Sequence, residues 1–188
     1  MIHQVTNFKG NLEAFNITKL EEFITYCCSN IPFVNKDFIL EQTLKNLYEG
    51  VKKSEINQTV IMAARPLIEK EPNYKFVCAR VLLHSVYKEA ARILDIKNRD
   101  FMSIEFYKEF LPKYIEMGIS DNRINPKLAE FDIEWLSEQI IFERDFLFDY
   151  LGLQTIYDRY LLHKNNVKYE IPQVMFMRVA MGLSINEG

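Results

Sequence analysis

The sequence predicts a mainly α-helical protein with two small β-hairpins: a helical bundle capped by the first hairpin, then a second helical domain that carries the other. Three observations predict it. Apolar residues recur at helical spacing through most of the chain, as in Leu20, Phe23, Ile24 and Cys27. Turn chemistry sits between short extended runs at Lys9-Gly10-Asn11 and at Lys164-Asn165-Asn166. A hydrophobic content of 48% with six glycines fits a packed protein rather than a disordered one.

Each element has a local reason. Residues 2–7 and 12–16 form the first hairpin, with Gly10 free to take positive φ. Thr18 to Glu21 reads as a capping box opening the first helix. A second helix is expected from Lys36 to Tyr48, with Phe38, Ile39, Leu44 and Leu47 inward and Gly50 ending it. Ser54 is the expected cap of a third, carrying Ile56, Val60, Ala63 and Leu67, which Pro66 should kink or shorten. Pro72 resets the chain before a long helix to about Leu94, with Phe76, Val77, Arg80, Val81, Leu83, Tyr87 and Ala91 as its buried stripe. A polar break at Ile96–Asp100 places the module boundary, giving 1–94 and 95–188. Phe101–Met117 is the next helix, open to interruption at Pro112, and Gly118–Pro126 is a loop. One helix should then run from Glu130 or Phe131 toward Tyr150. After it come a short helix, the second hairpin, and a last helix with Pro172 in its first turn.

Composition excludes several classes. The 23 basic and 26 acidic residues give a charge of −3, with no basic excess to drive phosphate contacts, so no nucleic-acid partner is expected. No apolar run reaches the ~20 residues of a membrane span, and the N-terminus lacks the order of a signal peptide. Cys27, Cys28 and Cys78 have neither disulfide nor zinc spacing, and His3, His84 and His163 are scattered. No metal site and no membrane association are expected, and the cytoplasm is the expected location. A glycine-rich phosphate loop, a HExxH and a nucleophile elbow are all missing from the sequence.

Residue order adds what periodicity does not. ERDF at 143–146, YLGLQT at 150–155, DRYLL at 158–162, the hairpin, IPQ at 171–173 and MFMRVAMG at 175–182 together resemble the segment before the catalytic barrel of the class I ribonucleotide reductase large subunit. Gly188 falls about where that family's barrel would begin. The first hairpin and its helices resemble the ATP-cone, the allosteric nucleotide module of many such enzymes. Val5, Gly10, Glu13, Asn16, Lys19, the Tyr48-Glu49-Gly50-Val51 turn, and Lys88 after VLLHSVY carry that likeness.

The resemblance implies an ATP-cone-like module over 1–94 and a helical domain over 95–188 that braces a barrel. ATP or dATP with magnesium would bind allosterically at Val5, Glu13, Asn16, Lys19, Lys53, Asn57 and Lys88. Partners would be the catalytic barrel of the large subunit, a radical-generating small subunit, and further copies in a homo-oligomer. The family's radical cysteine, redox cysteine pair and Asn/Glu acid–base set belong to the barrel, so the chain itself would be catalytically silent.

This sequence departs from the cone pattern where phosphate is usually held. Asn7 and Phe8 stand at the positions of an adjacent Lys-Arg, Lys9 at an Asp, Lys53 at a Thr, and Asn57 at a His or Asp. Two lost cations would forfeit charge-assisted hydrogen bonds worth about 1.5–3 kcal/mol each. Two readings stay open: a working site recharged by Lys9 and Lys53, and a degenerate cone in a non-catalytic interaction module. A zinc-ribbon repressor bearing a cone is excluded by the missing CxxC and the acidic charge. Arg80 reads as an interhelical strut, and Glu143-Arg144-Asp145 as solvent-facing or locally paired charge beneath a barrel, with Arg178 of the same kind. An exposed apolar surface is expected at Met175, Met177, Met181 and Leu183, with self-association as its consequence.

Overall fold

Asn7 and Gly10 close the first hairpin. The Asn7 side-chain oxygen accepts from the backbone N–H groups of Lys9 (2.9 Å) and Asn11 (3.1 Å), and Gly10 takes φ +84°, which a side chain would resist. Strands β1 (Gln4–Thr6) and β2 (Leu12–Ala14) then pair antiparallel, with Val5 opposite Glu13. The computed structural model of the protein describes residues 2–98, 100, 101 and 103–187. It divides the chain into two units: Met1–Leu83 with Phe148–Leu153, and His84–Leu147 with Gln154–Gly188.

In the first unit the hairpin is tied to the segment before the third helix. Thr6 N–H donates to the Val51 carbonyl, Gly50 N–H donates to that of Gln4, and Glu49 accepts from His3 and Gln4. Helix α1 (Ile17–Cys28) is capped by Asn16, whose side chain accepts from Lys19 N–H, and not by the expected Thr18 box. Helix α2 (Lys36–Asn46) is capped by Asn35 and buries Ile39 and Thr43. Phe38, expected inward, is 40% exposed, because Ile39, Thr43 and Leu47 form the i, i+4, i+8 stripe instead. Helix α3 (Lys53–Ala64) begins at Lys53 with no side-chain cap, so Ser54 does not fill the expected role. Pro66 ends it as expected, in a 3-10 turn over Arg65–Glu69. Helix α4 (Tyr74–Ile93) starts in this unit and continues into the second. Leu20, Ile24, Ile39, Val60, Val77 and Val81 form the core.

The second unit takes over at the middle of α4. Helix α5 (Ile104–Ser120), capped by Ser103, passes Pro112 without interruption, with Pro112 on its exposed face. It also runs past Gly118 into the stretch expected as loop. Gly118 is buried under Ile124, which returns across it. In place of the single helix expected from 130 or 131 toward 150 come, in order, a 3-10 turn at Pro126–Glu130 that precedes that span, helix α6 (Ile133–Glu138) and a 3-10 turn at Phe142–Leu147. Asn125 caps the first piece, Asp132 the second, and Asp149 accepts from Gly152 N–H at the start of α7 (Tyr150–Arg159). Capping chemistry overrides apolar periodicity at each break.

Strands β3 (His163–Lys164) and β4 (Val167–Lys168) pair across Asn165 and Asn166, both at positive φ, a two-residue hairpin turn. Helix α8 (Pro172–Ser184) closes the unit. Of the residues expected at an exposed apolar surface, Met175 and Met181 are buried, while Leu183 is exposed as expected, and so are Phe176 and Val179. Rings from Tyr87, Phe106, Phe110, Tyr114 and Tyr169 run through this core at centroid spacings of 5.3–6.3 Å.

Candidate functional site

The start of α3 follows directly on the loop that pairs with β1, so Lys53 comes out beside the hairpin. Its ammonium forms an ion pair with the carboxylate of Glu13 on β2. Val5, the cross-strand partner of Glu13, is 1% exposed and anchors the hairpin in the core. Asn16 is spent as the cap of α1, which presents Lys19 in its first turn. Asn57 lies one turn along α3 from Lys53, on the same face. The first unit therefore holds six of the seven sequence-derived site residues. The seventh, Lys88, sits exposed on the part of α4 that belongs to the second unit.

The Lys53 ammonium is the main influence holding the Glu13 carboxyl below its ordinary range, and partial desolvation opposes it. The Asn7 side chain and the charge of Lys19 act in the same direction as Lys53. Glu13 thus feels two cations, Lys53 in contact and Lys19 through space. Asn7 was legible only as a missing cation. Here it closes its own turn through its oxygen, and its side chain helps hold the Glu13 carboxyl low. Phe8, at the other departing position, is 62% exposed.

Two polar clusters that sequence reasoning did not find lie within the second unit. Glu143 and Arg144 are exposed as expected, but Asp145 is buried at 2% exposure. The Tyr87 hydroxyl donates to Asp145 Oδ2, and the Tyr107 hydroxyl contacts that of Tyr87. Burial pushes the Asp145 carboxyl up to about 6, although the side chains of Tyr87, Gln173 and Tyr107 all pull it down. In the second cluster Glu170, fully buried, accepts from Tyr114, from Leu162 N–H at 2.8 Å, and from Arg178 Nε at 2.7 Å. The available signal was tyrosine within an apolar stripe, since a buried hydroxyl requires a partner.

Arg80 is the strut expected of it: its guanidinium donates to the carbonyls of Cys27 and Ser29 at the end of α1. The three thiols are buried, and desolvation pushes Cys28 up to about 11 and Cys78 up to about 12, far from a reactive thiolate. Among the described residues no three His, Cys, Asp or Glu side chains gather into a group that could hold a metal, and no helix is long and apolar enough to cross a membrane.

Comparison with known proteins gives one direction. Residues 146–188 match the family model described as the ribonucleotide reductase all-alpha domain. Over 172 residues the chain is 37% identical to the ribonucleoside-diphosphate reductase subunit alpha of Chlamydia pneumoniae, spanning 91% of this chain and 16% of that one. The Chlamydia muridarum subunit alpha is 38% identical over 186 residues, 98% of this chain and 17% of its own. That of Helicobacter pylori strain 26695 is 33% identical over 186 residues, 97% of this chain and 22% of its own. The chain thus spans between 16% and 22% of the length of these relatives.

Proposed function

The chain is homologous to ribonucleoside-diphosphate reductase alpha subunits over nearly its whole length, and from that premise we propose that it serves as the N-terminal regulatory and structural part of such an enzyme. The enzyme would reduce ribonucleoside diphosphates to their deoxy forms for DNA synthesis. Its catalytic barrel and a radical-generating beta subunit would be the partners of this region, within a homo-oligomer in the cytoplasm. We assign residues 1–94 to a cone-like regulatory module and 95–188 to the helical domain that braces the barrel. The near full-length homology carries this reading.

For the regulatory module, the supporting observation is the meeting of Glu13, Lys19 and Lys53 where the hairpin and the starts of α1 and α3 converge. A carboxylate can hold ribose hydroxyls and two ammonium groups can hold phosphate, so the set fits ATP or dATP with magnesium. A second reading, a cone that no longer binds nucleotide, is favoured by Asn7 and Phe8 at the turn and by the engagement of Lys53 with Glu13.

Calorimetric titration of the protein with ATP and with dATP, in magnesium, tests the assignment. Micromolar binding that weakens at least tenfold in Lys19→Ala supports the regulatory site. Absence of heat from the folded protein with both nucleotides establishes the second reading instead.

A further inference from the structure

We infer that the Glu13–Lys53 ion pair is an intramolecular latch, in which the Glu13 carboxylate occupies the ammonium that a polyphosphate would otherwise take. The inference rests on the nucleotide reading of this site for its physiological ligand, but its geometry stands apart from that reading.

Three features support a latch rather than a structural staple. First, the hairpin does not depend on the pair for its position. Backbone bonds from Thr6 to Val51 and from Gly50 to Gln4, together with the two N–H groups held by Glu49, already fix it against the start of α3. Second, the pair lies where an anion could reach it, with side-chain exposures of 42% for Lys53 and 36% for Glu13. An ion pair this exposed is weak enough for a multiply charged ligand to displace. Third, Lys53 begins a 12-residue helix whose cap residue Lys52 supplies no side-chain acceptor. The ammonium of Lys53, the field of Lys19 and the α3 N-terminus are thus all of one sign; Glu55 in the first turn of α3 accepts from the Tyr48 hydroxyl, and Glu13 is the carboxylate paired with Lys53.

Neutralising Glu13 removes that counter-charge and its repulsion of an incoming anion, leaving two cations without a partner between them. The probe is inorganic tripolyphosphate, which has no ribose or base for Glu13 to recognise. Its affinity is measured for the wild type, Glu13→Gln, Lys53→Met and the double variant at low salt. A latch predicts that Glu13→Gln binds tripolyphosphate about tenfold tighter than the wild type, that the gain disappears when Lys53→Met is added, and that it shrinks as salt rises. Hydrogen exchange at Val5 and Thr6 should stay as slow in Glu13→Gln as in the wild type.

Equal or weaker tripolyphosphate binding by Glu13→Gln overturns the latch, as does a gain that survives the loss of Lys53. Faster exchange at the hairpin overturns it too, by showing the pair to be a staple. The nucleotide reading fails separately: no ATP or dATP binding by the wild type, alongside a tripolyphosphate gain in Glu13→Gln, would sustain the latch and make it the reason the site is closed.

Discussion

Replacing Tyr87 with Phe removes one oxygen and leaves a ring of nearly the same volume in the same place, so its cost reports on hydrogen bonding rather than on a cavity. Tyr87 is 1% exposed and Asp145 2% exposed, so water cannot substitute readily for the lost donor. A hydroxyl has one proton. With that of Tyr87 given to Asp145 Oδ2, the proton of Tyr107 must go to Tyr87, because Tyr107 stands 3.5 Å from the carboxylate. The relay therefore runs from Tyr107 to Tyr87 to Asp145, and its two links differ in kind. The link to a carboxylate is worth about 1.5–3 kcal/mol and the link between hydroxyls about 0.5–1.5 kcal/mol. Tyr87→Phe should accordingly cost about 2–4 kcal/mol, since it severs both links, and Tyr107→Phe about 1 kcal/mol.

Urea unfolding followed by far-ultraviolet circular dichroism, at constant m-value, measures both variants. Asp145 adds a pH signature. Its folded-state carboxyl titrates near 6 against an ordinary 3.8, because burial disfavours the charged form. The fold therefore favours the protonated acid: the stabilisation is complete below about pH 3.8 and lost as pH rises through 6, about 3 kcal/mol in all. Asp145→Asn should abolish that component of the pH profile between 4 and 7, and Tyr87→Phe should extend it to higher pH. Equal costs for Tyr87→Phe and Tyr107→Phe, or an unchanged profile in Asp145→Asn, would refute the relay.

Two further substitutions test the second unit. Arg178→Ala leaves Glu170 buried without its cation and should cost about 3–5 kcal/mol in urea unfolding. Arg178→Lys should recover only part, since one ammonium cannot reproduce bonds from both Nε and Nη2. Gly118→Ala puts a Cβ 2.6 Å from Ile124 Cγ1, and Ile124 is held in place by backbone bonds from residues 123 and 124 to the Gly118 carbonyl. It should cost about 1–3 kcal/mol, whereas Gly182→Ala, with nothing within 4 Å, should be neutral or stabilise α8 slightly; thermal melts separate the two.

Elements whose local chemistry is self-sufficient were legible in the sequence. Gly10 and the Asn165-Asn166 pair each specify a turn through positive φ, and Pro66 ends α3 whatever surrounds it. Helix starts were less legible, because several polar residues compete to cap. Asn16 outcompetes Thr18, and Asp132 and Asp149 split a stretch whose apolar spacing alone reads as continuous. Face selection was hardest on α8, where Met175, Phe176, Val179 and Met181 offer apolar side chains all round. Hydropathy cannot choose between such faces, but the bond from part-exposed Arg178 to buried Glu170 does, turning Met175 and Met181 inward. At the candidate site the residue types were legible and their pairing was not. Glu13 and Lys53 lie far apart in sequence, and only the approach of the hairpin to the start of α3 makes them partners.

The match to the family model, over residues 146–188, and the proposed nucleotide site rest on different residues. Arg178, inside the segment that the family model matches, and Asp145, just before it, both belong to hydrogen-bonded clusters around a buried carboxylate in the second unit. Such residues answer a folding demand: a buried carboxylate that loses its donor or its cation destabilises the unit, so these positions report architecture. Apart from Lys88, the charges that would meet a phosphate lie in the first unit, on exposed or half-exposed side chains that the fold can exchange at little cost. That is where this chain carries Asn7, Phe8 and Lys53. The two properties should therefore separate under mutation: Arg178→Ala should lower stability, whereas Lys19→Ala should alter nucleotide binding with stability unchanged to within about 0.5 kcal/mol. A loss of stability in Lys19→Ala comparable to that in Arg178→Ala would mean that the cations of the first unit are structural as well, and the separation would fail.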